Sequence, residues 1–241
     1  MPYAFVMDAE TALPAVENAL TPLIRVRNLS LTVPAAAGPV NILRGLDFDI
    51  AAGETVALLG PSGSGKTSLL MLLAGLERPT AGTISLAGEE LAGLSEDALA
   101  RLRRRYIGIV FQAFHLISSM TALENVAVPL ELAGRADARA RARAALEAVG
   151  LGHRLTHLPS ALSGGEQQRV AIARAFSAAP RLILADEPTG NLDQATGREI
   201  ISLLFAEQRA HATTLLLVTH DPALAARCER RVYLADGRLV S

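Results

Sequence analysis

Gly60-Pro61-Ser62-Gly63-Ser64-Gly65-Lys66-Thr67-Ser68 is the stretch on which the reading of this 241-residue chain turns. Its first eight residues satisfy G-x-x-x-x-G-K-[ST]; an apolar run, Thr55 to Leu59, precedes them, and a helical pattern from Lys66, closed by Gly75, follows. Strand, loop and helix therefore come in the order that a phosphate-binding loop requires. Glycines at 60, 63 and 65 let successive backbone N–H groups turn inward as an anion nest, and the helix N-terminus adds partial positive charge at the same point. Gly60 to Ser68 is thus the expected cradle for ATP, with Lys66 reaching the β- and γ-phosphates and the Thr67 hydroxyl on Mg²⁺.

Composition supports a special task for Lys66. It is the only lysine, and the other 22 basic side chains are arginine. A sequence that uses arginine wherever a generic cation will do has kept a compact ammonium where a planar guanidinium would displace the loop.

Half of the residues are hydrophobic, enough for a sizeable buried core in one large α/β domain. Mean hydropathy is positive, +0.30, yet the richest apolar run, Leu69 to Ala74, falls far short of the roughly 18 to 20 residues of a spanning helix. Any membrane role must come through a partner. The net charge of −1 provides no general field for nucleic acid, and the arginine clusters Arg101 to Arg105 and Arg135 to Arg143 lack interleaved aromatics, so they read as solvated helix faces. The single cysteine, Cys228, forbids an intrachain disulfide and fits a reducing compartment.

Strand-like runs recur at Leu23 to Val33, Thr55 to Leu59, Ile107 to Phe111, Leu182 to Ala185, Thr214 to Thr219 and Arg231 to Leu234. Helical patterns at Lys66 to Ala74, Gly164 to Phe176 and Gly197 to Arg209 alternate with them, which predicts crossover units and a mostly parallel buried sheet. Residues 95–160, rich in alanine and arginine, read as an inserted helical subdomain. Residues 1–22 are expected to form a disordered N-terminal extension, leaving 23–241 as the folded domain.

The run Leu182 to Ala185 ends in Asp186 and Glu187, at the carboxyl edge of a parallel sheet, where α/β ligands bind. Consecutive strand residues point in opposite directions, so the two acids have different tasks: Asp186 is suited to hold Mg²⁺ and Glu187 to polarise the attacking water. Leu162-Ser163-Gly164-Gly165-Glu166-Gln167 opens a helical run, and Ser163 with Glu166 forms a capping box. Two glycines there also offer a second anion site, for which one chain has no evident use but a second molecule does.

With that stretch the chain resembles the ATP-binding cassette family, whose signature is Leu-Ser-Gly-Gly followed by Gln or Glu-Gln; the likeness spans about residues 24–240. It implies a P-loop NTPase cassette of class α/β: a mostly parallel core sheet, an antiparallel β part and the inserted helical subdomain. It also implies two copies packed head to tail, ATP on one phosphate loop being closed over by Ser163, Gly164 and Gly165 of the other, with Asp193, in Asn191-Leu192-Asp193, crossing the interface. By the same likeness Gln112 contacts Mg²⁺ and the water, and His220 contacts the γ-phosphate. The segments Gln112 to Leu130 and Ala185 to Asp193 are similar to the lipoprotein-release and macrolide-export cassettes, which implies ATP hydrolysis coupled to a multi-span permease, at the cytoplasmic face of the inner membrane. The family's adenine-stacking aromatic has no counterpart in Leu31-Thr32-Val33-Pro34, where Val33 falls nearest.

A second reading keeps the cassette but gives it a soluble machine, such as iron–sulfur cluster assembly. Coiled-coil repair ATPases are excluded, because Lys66 and Ser163 lie too close in sequence to admit the insertion. Amine-directed labelling tests the phosphate loop in either case: reagent is expected on Lys66 and the N-terminus alone, with ATP protecting Lys66, as read by peptide mass mapping.

Overall fold

The computed structural model describes residues 22–36 and 38–240. The expectation of disorder for the N-terminal extension falls on residues outside these, Pro22 apart. Two sheets organise the chain. The smaller is antiparallel, in the order β2-β1-β4-β5, from β1 (Ile24–Val33), β2 (Val40–Ile50), β4 (Ala81–Leu86) and β5 (Glu89–Glu90). The larger has the order β10-β9-β3-β8-β7-β6, from β3 (Thr55–Leu59), β6 (Ile107–Val110), β7 (Leu182–Asp186), β8 (Thr214–Val218), β9 (Arg230–Ala235) and β10 (Arg238–Val240). Its strands from β9 to β6 are parallel; β10 returns antiparallel to β9 through Asp236 and Gly237, both at positive φ, the chemistry of a tight hairpin.

Every residue of β3, β7 and β8 is buried, as a strand covered on both faces requires. The period-two alternation divides them between two cores. Ala57, Leu59, Ile183, Ala185, Leu215 and Leu217 face one hydrophobic cluster; Val56, Leu58, Leu182, Leu184, Leu216 and Val218 face the other. The second cluster is completed by α1 (Lys66–Leu73), by α2 (Glu96–Tyr106) through Leu99, Leu102 and Tyr106, and by the antiparallel sheet. The first is completed by α3 (Ala122–Leu132), α4 (Ala138–Ala148), α5 (Gly164–Ser177) and α6 (Gln194–Ala210). The larger sheet is thus the middle layer. A short α7 (Pro222–Ala225) packs beside β3, and Arg44 N–H donates to Gly237 O at 2.8 Å, joining the sheets.

Within residues 95–160, α2 and β6 belong with the sheet, whereas α3 and α4 pack on each other and on α5. The reason is local: α2 buries residues spaced three and four apart in the second cluster, and four residues suffice for β6 to pair with β7. Capping boxes start α3 (Thr121 with Glu124) and α5 (Ser163 with Glu166). Cys228 is buried, which pushes its thiol up to about 11.

Edge strand β6 touches α5 with no room to spare. A Cβ on Gly108 would lie 2.3 Å from Ala175 O and 2.7 Å from Ile183 Cδ1. Gly108→Ala is therefore expected to destabilise the chain by roughly 1 to 3 kcal/mol, the usual cost of overpacking, measured as a lowered urea midpoint at unchanged slope.

Candidate functional site

A cleft of about 780 Å³ opens where the parallel strands end, lined by the loop after β3, Gln112, Asp186, Glu187, Gly190 and His220. Its floor is the phosphate-loop backbone. Gly60 leaves β3 with φ 154°, and a Cβ there would sit 2.0 Å from Leu234 O, so the chain passes only as glycine. Gly65, at φ 102°, starts α1 without any side-chain cap, leaving first-turn N–H groups for a ligand. Lys66 is largely buried; its Nζ donates to Gly60 O and Pro61 O, both at 2.8 Å, and one of its three N–H bonds stays available. Ser64 Oγ is buried with no hydrogen-bond partner.

Thr67, one residue into α1, donates Oγ1–H to Asp186 Oδ2 at 2.9 Å, while Asp186 Oδ1 is buried without a partner. Burial, reinforced by the neighbouring Glu187 charge and opposed by the Thr67 bond and Lys66, holds the Asp186 carboxyl above its ordinary value. An orphaned carboxylate oxygen beside a threonine hydroxyl on a phosphate loop fits Mg²⁺, a hard cation that takes oxygen donors and completes its shell with phosphates and water. Among the described residues no cluster of three or more His, Cys, Asp or Glu side chains forms a metal cage.

Glu187 follows in the left-handed region, φ 46°, with its N–H donating to Val218 O at 3.0 Å. Its Oε2 lies 2.6 Å from His220 Nδ1, so the carboxylate and the imidazole are already partners. Gln112 and Asn191 exchange bonds, Gln112 Nε2 to Asn191 Oδ1 at 3.3 Å and Asn191 Nδ2 to Gln112 O at 3.0 Å. Gly190 permits this approach: its Cβ would lie 2.6 Å from Gln112 Nε2.

Of the residues singled out from the sequence, Gly60 to Gly63, Gly65 to Ser68, Gln112, Asp186, Glu187 and His220 line one cleft. Ser163, Gly164, Gly165 and Asp193 do not line it. Ser163 and Asp193 cap α5 and α6: Asp193 accepts from Ala195 N, Thr196 N and Thr196 Oγ1 at 2.9, 3.1 and 2.6 Å, and the Thr196 bonds lead in holding its carboxyl below the usual range. The two N-termini adjoin, since a Cβ on Gly165 would lie 2.6 Å from Thr196 Cγ2. Sequence reading passed over Ile42, which lines the cleft beside the loop, whereas Val33 packs against the second core cluster. It also passed over Gln168, fully buried, whose Nε2 donates to Pro188 O at 2.8 Å.

Strand, phosphate loop and helix, with an acid at the end of a strand two places away, define a nucleoside-triphosphate-binding α/β protein. Comparison with known proteins narrows the class. A family model described as "ABC transporter" matches residues 43–190. The chain is 50% identical over 219 residues to the ABC transporter ATP-binding protein YbbA of Escherichia coli K12, covering 90% of this chain and 96% of that one. It is 50% identical over 222 residues to the macrolide export ATP-binding/permease protein MacB 1/2 of Paracoccus denitrificans, covering 91% of this chain and 33% of that larger one. Among solved structures, a dimeric post-hydrolysis state of the ATP-binding cassette MJ0796 bound to ADP and Pi superposes with TM-score 0.84 at 39% identity, covering 90% of this chain and 97% of that one. The chain belongs to the ABC transporter family, as one of its ATP-binding cassettes.

The Asp186 carboxyl yields a test. Its folded pKa is raised, so its contribution to stability is full below about pH 4 and is lost as pH rises through the folded value. Asp186→Asn keeps an acceptor for Thr67 and removes the buried charge. In EDTA at pH 7.5 it is expected to raise Tm, with little gain at pH 4 and loss of the further rise that MgATP gives the wild type. Differential scanning calorimetry reads all three.

Proposed function

We propose that this cassette hydrolyses ATP, as a head-to-tail pair, to drive a separate inner-membrane permease of the lipoprotein-release and macrolide-export type. The observation carrying the hydrolytic part is the 2.6 Å contact between Glu187 and His220 at the rim of a cleft whose floor is a phosphate loop. Backbone N–H groups from Gly60 to Ser68 and the Lys66 ammonium take the β- and γ-phosphates. Thr67 and Asp186, with Gln112, would hold Mg²⁺, which when bound would neutralise charge on the triphosphate. Glu187 orients and polarises the attacking water, accepting its proton as the water oxygen bonds to the γ-phosphorus and the bond to the ADP oxygen breaks. His220 holds Glu187 through Nδ1 and meets the γ-phosphate through its other ring nitrogen.

The pairing rests on what a single chain lacks. Ser163, Gly164, Gly165 and Asp193 lie outside the cleft of their own chain, at two adjoining helix N-termini whose dipoles favour an anion. A two-fold arrangement sets that face over the partner's ATP. The relative MJ0796 is dimeric in its post-hydrolysis structure, which supports this reading.

No helix among the described residues is long and apolar enough to cross a membrane. The relative MacB 1/2 is an ATP-binding/permease protein of which this chain matches a third. The permease is proposed to be a separate chain because the relative YbbA is matched over 96% of its own length, with the cassette peripheral at the cytoplasmic face and its α3–α4 layer as the moving part next to Gln112. The relatives above are transporter cassettes, which weighs against a soluble iron–sulfur machine; nucleic acid is not among the proposed partners.

Glu187→Gln keeps size and the His220 bond but removes the base. ATPase activity is expected to fall at least about 100-fold, the scale of general-base catalysis, and the variant to accumulate as an ATP-bound dimer in light scattering. Undiminished turnover would remove Glu187 from its role.

A further inference from the structure

The connection from the end of β6 through Gln112 to α3 is held at three places by side chains that donate to its backbone carbonyls. Gln168 of α5 reaches Phe111 O at 3.5 Å as well as Pro188 O. Asn125 of α3, fully buried, donates to Ile117 O, Met120 O and Thr121 O at 3.1, 3.0 and 3.0 Å and accepts from Ile117 N–H at 2.7 Å. Between them stands Arg174 of α5, whose Nη2 donates to Phe114 O at 2.9 Å and Nη1 to His115 O at 2.7 Å.

The turn that Arg174 holds is strained. Phe114 and His115 are consecutive non-glycine residues in the left-handed region, φ 59° and 48°, where a bulky side chain is rarely found. The His115 ring meets Phe111 edge-on at 4.6 Å, and Phe114 Cζ lies 3.8 Å from where a Cβ on Gly164 would be. The guanidinium is itself in an unfavourable place: burial alone shifts it below its ordinary pKa, and no carboxylate offsets that desolvation. A half-buried cation with no carboxylate partner and a strained turn persist together only where the surrounding structure enforces them. Here the turn lies directly after Gln112, and the cation belongs to the helix that begins Ser163-Gly164-Gly165.

We infer that Arg174 is a positioning residue for hydrolysis: its guanidinium fixes the turn at Phe114 and His115, so that Gln112 and the first turn of α5 move as one body. This rests on the proposed roles of Gln112 and of the Ser163 to Gly165 turn. Arg174 touches no substrate; it acts through the backbone of the connection. Lysine at this position keeps the charge but not the planar fork that grips two successive carbonyls.

The experiment measures steady-state hydrolysis against ATP concentration, and binding of a fluorescent ATP analogue, for the full chain with Arg174→Lys, with His115→Gly and with both. Arg174→Lys is expected to lower kcat about tenfold, as small misplacement of a reacting group does, with nucleotide affinity within about twofold. His115→Gly alone is expected to keep kcat within about twofold, because glycine takes the left-handed backbone unaided. In the double variant it is expected to restore at least half of the lost rate. Wild-type kcat in Arg174→Lys overturns the inference, and so does a double variant no faster than Arg174→Lys. A lysine variant that folds only when His115→Gly accompanies it supports the inference; one that fails to fold in both backgrounds overturns it. Turnover surviving in Glu187→Gln removes the assigned base instead, and leaves the rescue by glycine as a separate readout.

Discussion

Three neighbouring strands that end level are the constraint on which the cleft depends. Leu58, Val218 and Asp186 occupy one row across β3, β8 and β7, and just beyond it Thr219 N–H donates to Leu58 O and Glu187 N–H to Val218 O. The parity of that row decides the chemistry. Leu58 and Val218 face the cluster that contains α1, so Asp186 points the same way and meets Thr67. A one-residue slip of β7 would turn Asp186 toward α5 and α6 and set Ala185 against the phosphate loop. The continuous apolar runs of β3, β7 and β8 place the carboxylate by fixing register through burial on both faces. The left-handed turn at Glu187 then takes the chain out of the sheet at the point where His220 arrives from β8.

At the cleft floor, polar groups are left without protein partners. Asp186 Oδ1 and Ser64 Oγ are buried and unpaired, and Lys66 is held by the carbonyls of its own loop. Each group would be better served by a packed apolar side chain if stability alone mattered. The carboxylate raised by burial and the ammonium held beside it complement a triphosphate with its cation more closely than they complement each other. An anion nest of backbone N–H groups adds attraction without a further side-chain charge to desolvate.

The sequence carried the larger sheet well because burial on both faces leaves unbroken apolar runs such as Leu182 to Ala185, bounded by turns. The antiparallel sheet was less legible. In β2, Val-Asn-Ile-Leu-Arg-Gly-Leu-Asp-Phe-Asp-Ile, pairing with β1 shifts register at several points, so the alternation that marks a half-buried strand is broken. For β4, Ala-Gly-Thr-Ile-Ser-Leu, only two of six residues are fully buried. At the site, motif residues were legible because phosphate chemistry dictates both their type and their spacing. Gln168 and Arg174 act on backbone carbonyls far away in sequence, and no pattern of residue types records such a partner. Ile42 was missed for a similar reason: it reaches the cleft by how the two sheets pack, next to Gly65.

Helix α5 connects these levels. Its first turn, Ser163 to Gly165, adjoins the N-terminus of α6 and faces away from the cleft of its own chain. Farther along, Gln168 and Arg174 fix the connection that carries Gln112, which does line that cleft. Where two copies share each nucleotide, one end of α5 therefore serves the partner's site and its inner face serves its own. A rigid helix with a buried polar anchor in the middle transmits a displacement without dissipating it in side-chain rearrangement. The reciprocal amide pair of Gln112 and Asn191 extends the link to the segment leading into Asp193 and α6. In the proposed head-to-tail pair, closure at one phosphate loop would move Gln112 and Asn191 at the other, because α5 and α6 start side by side.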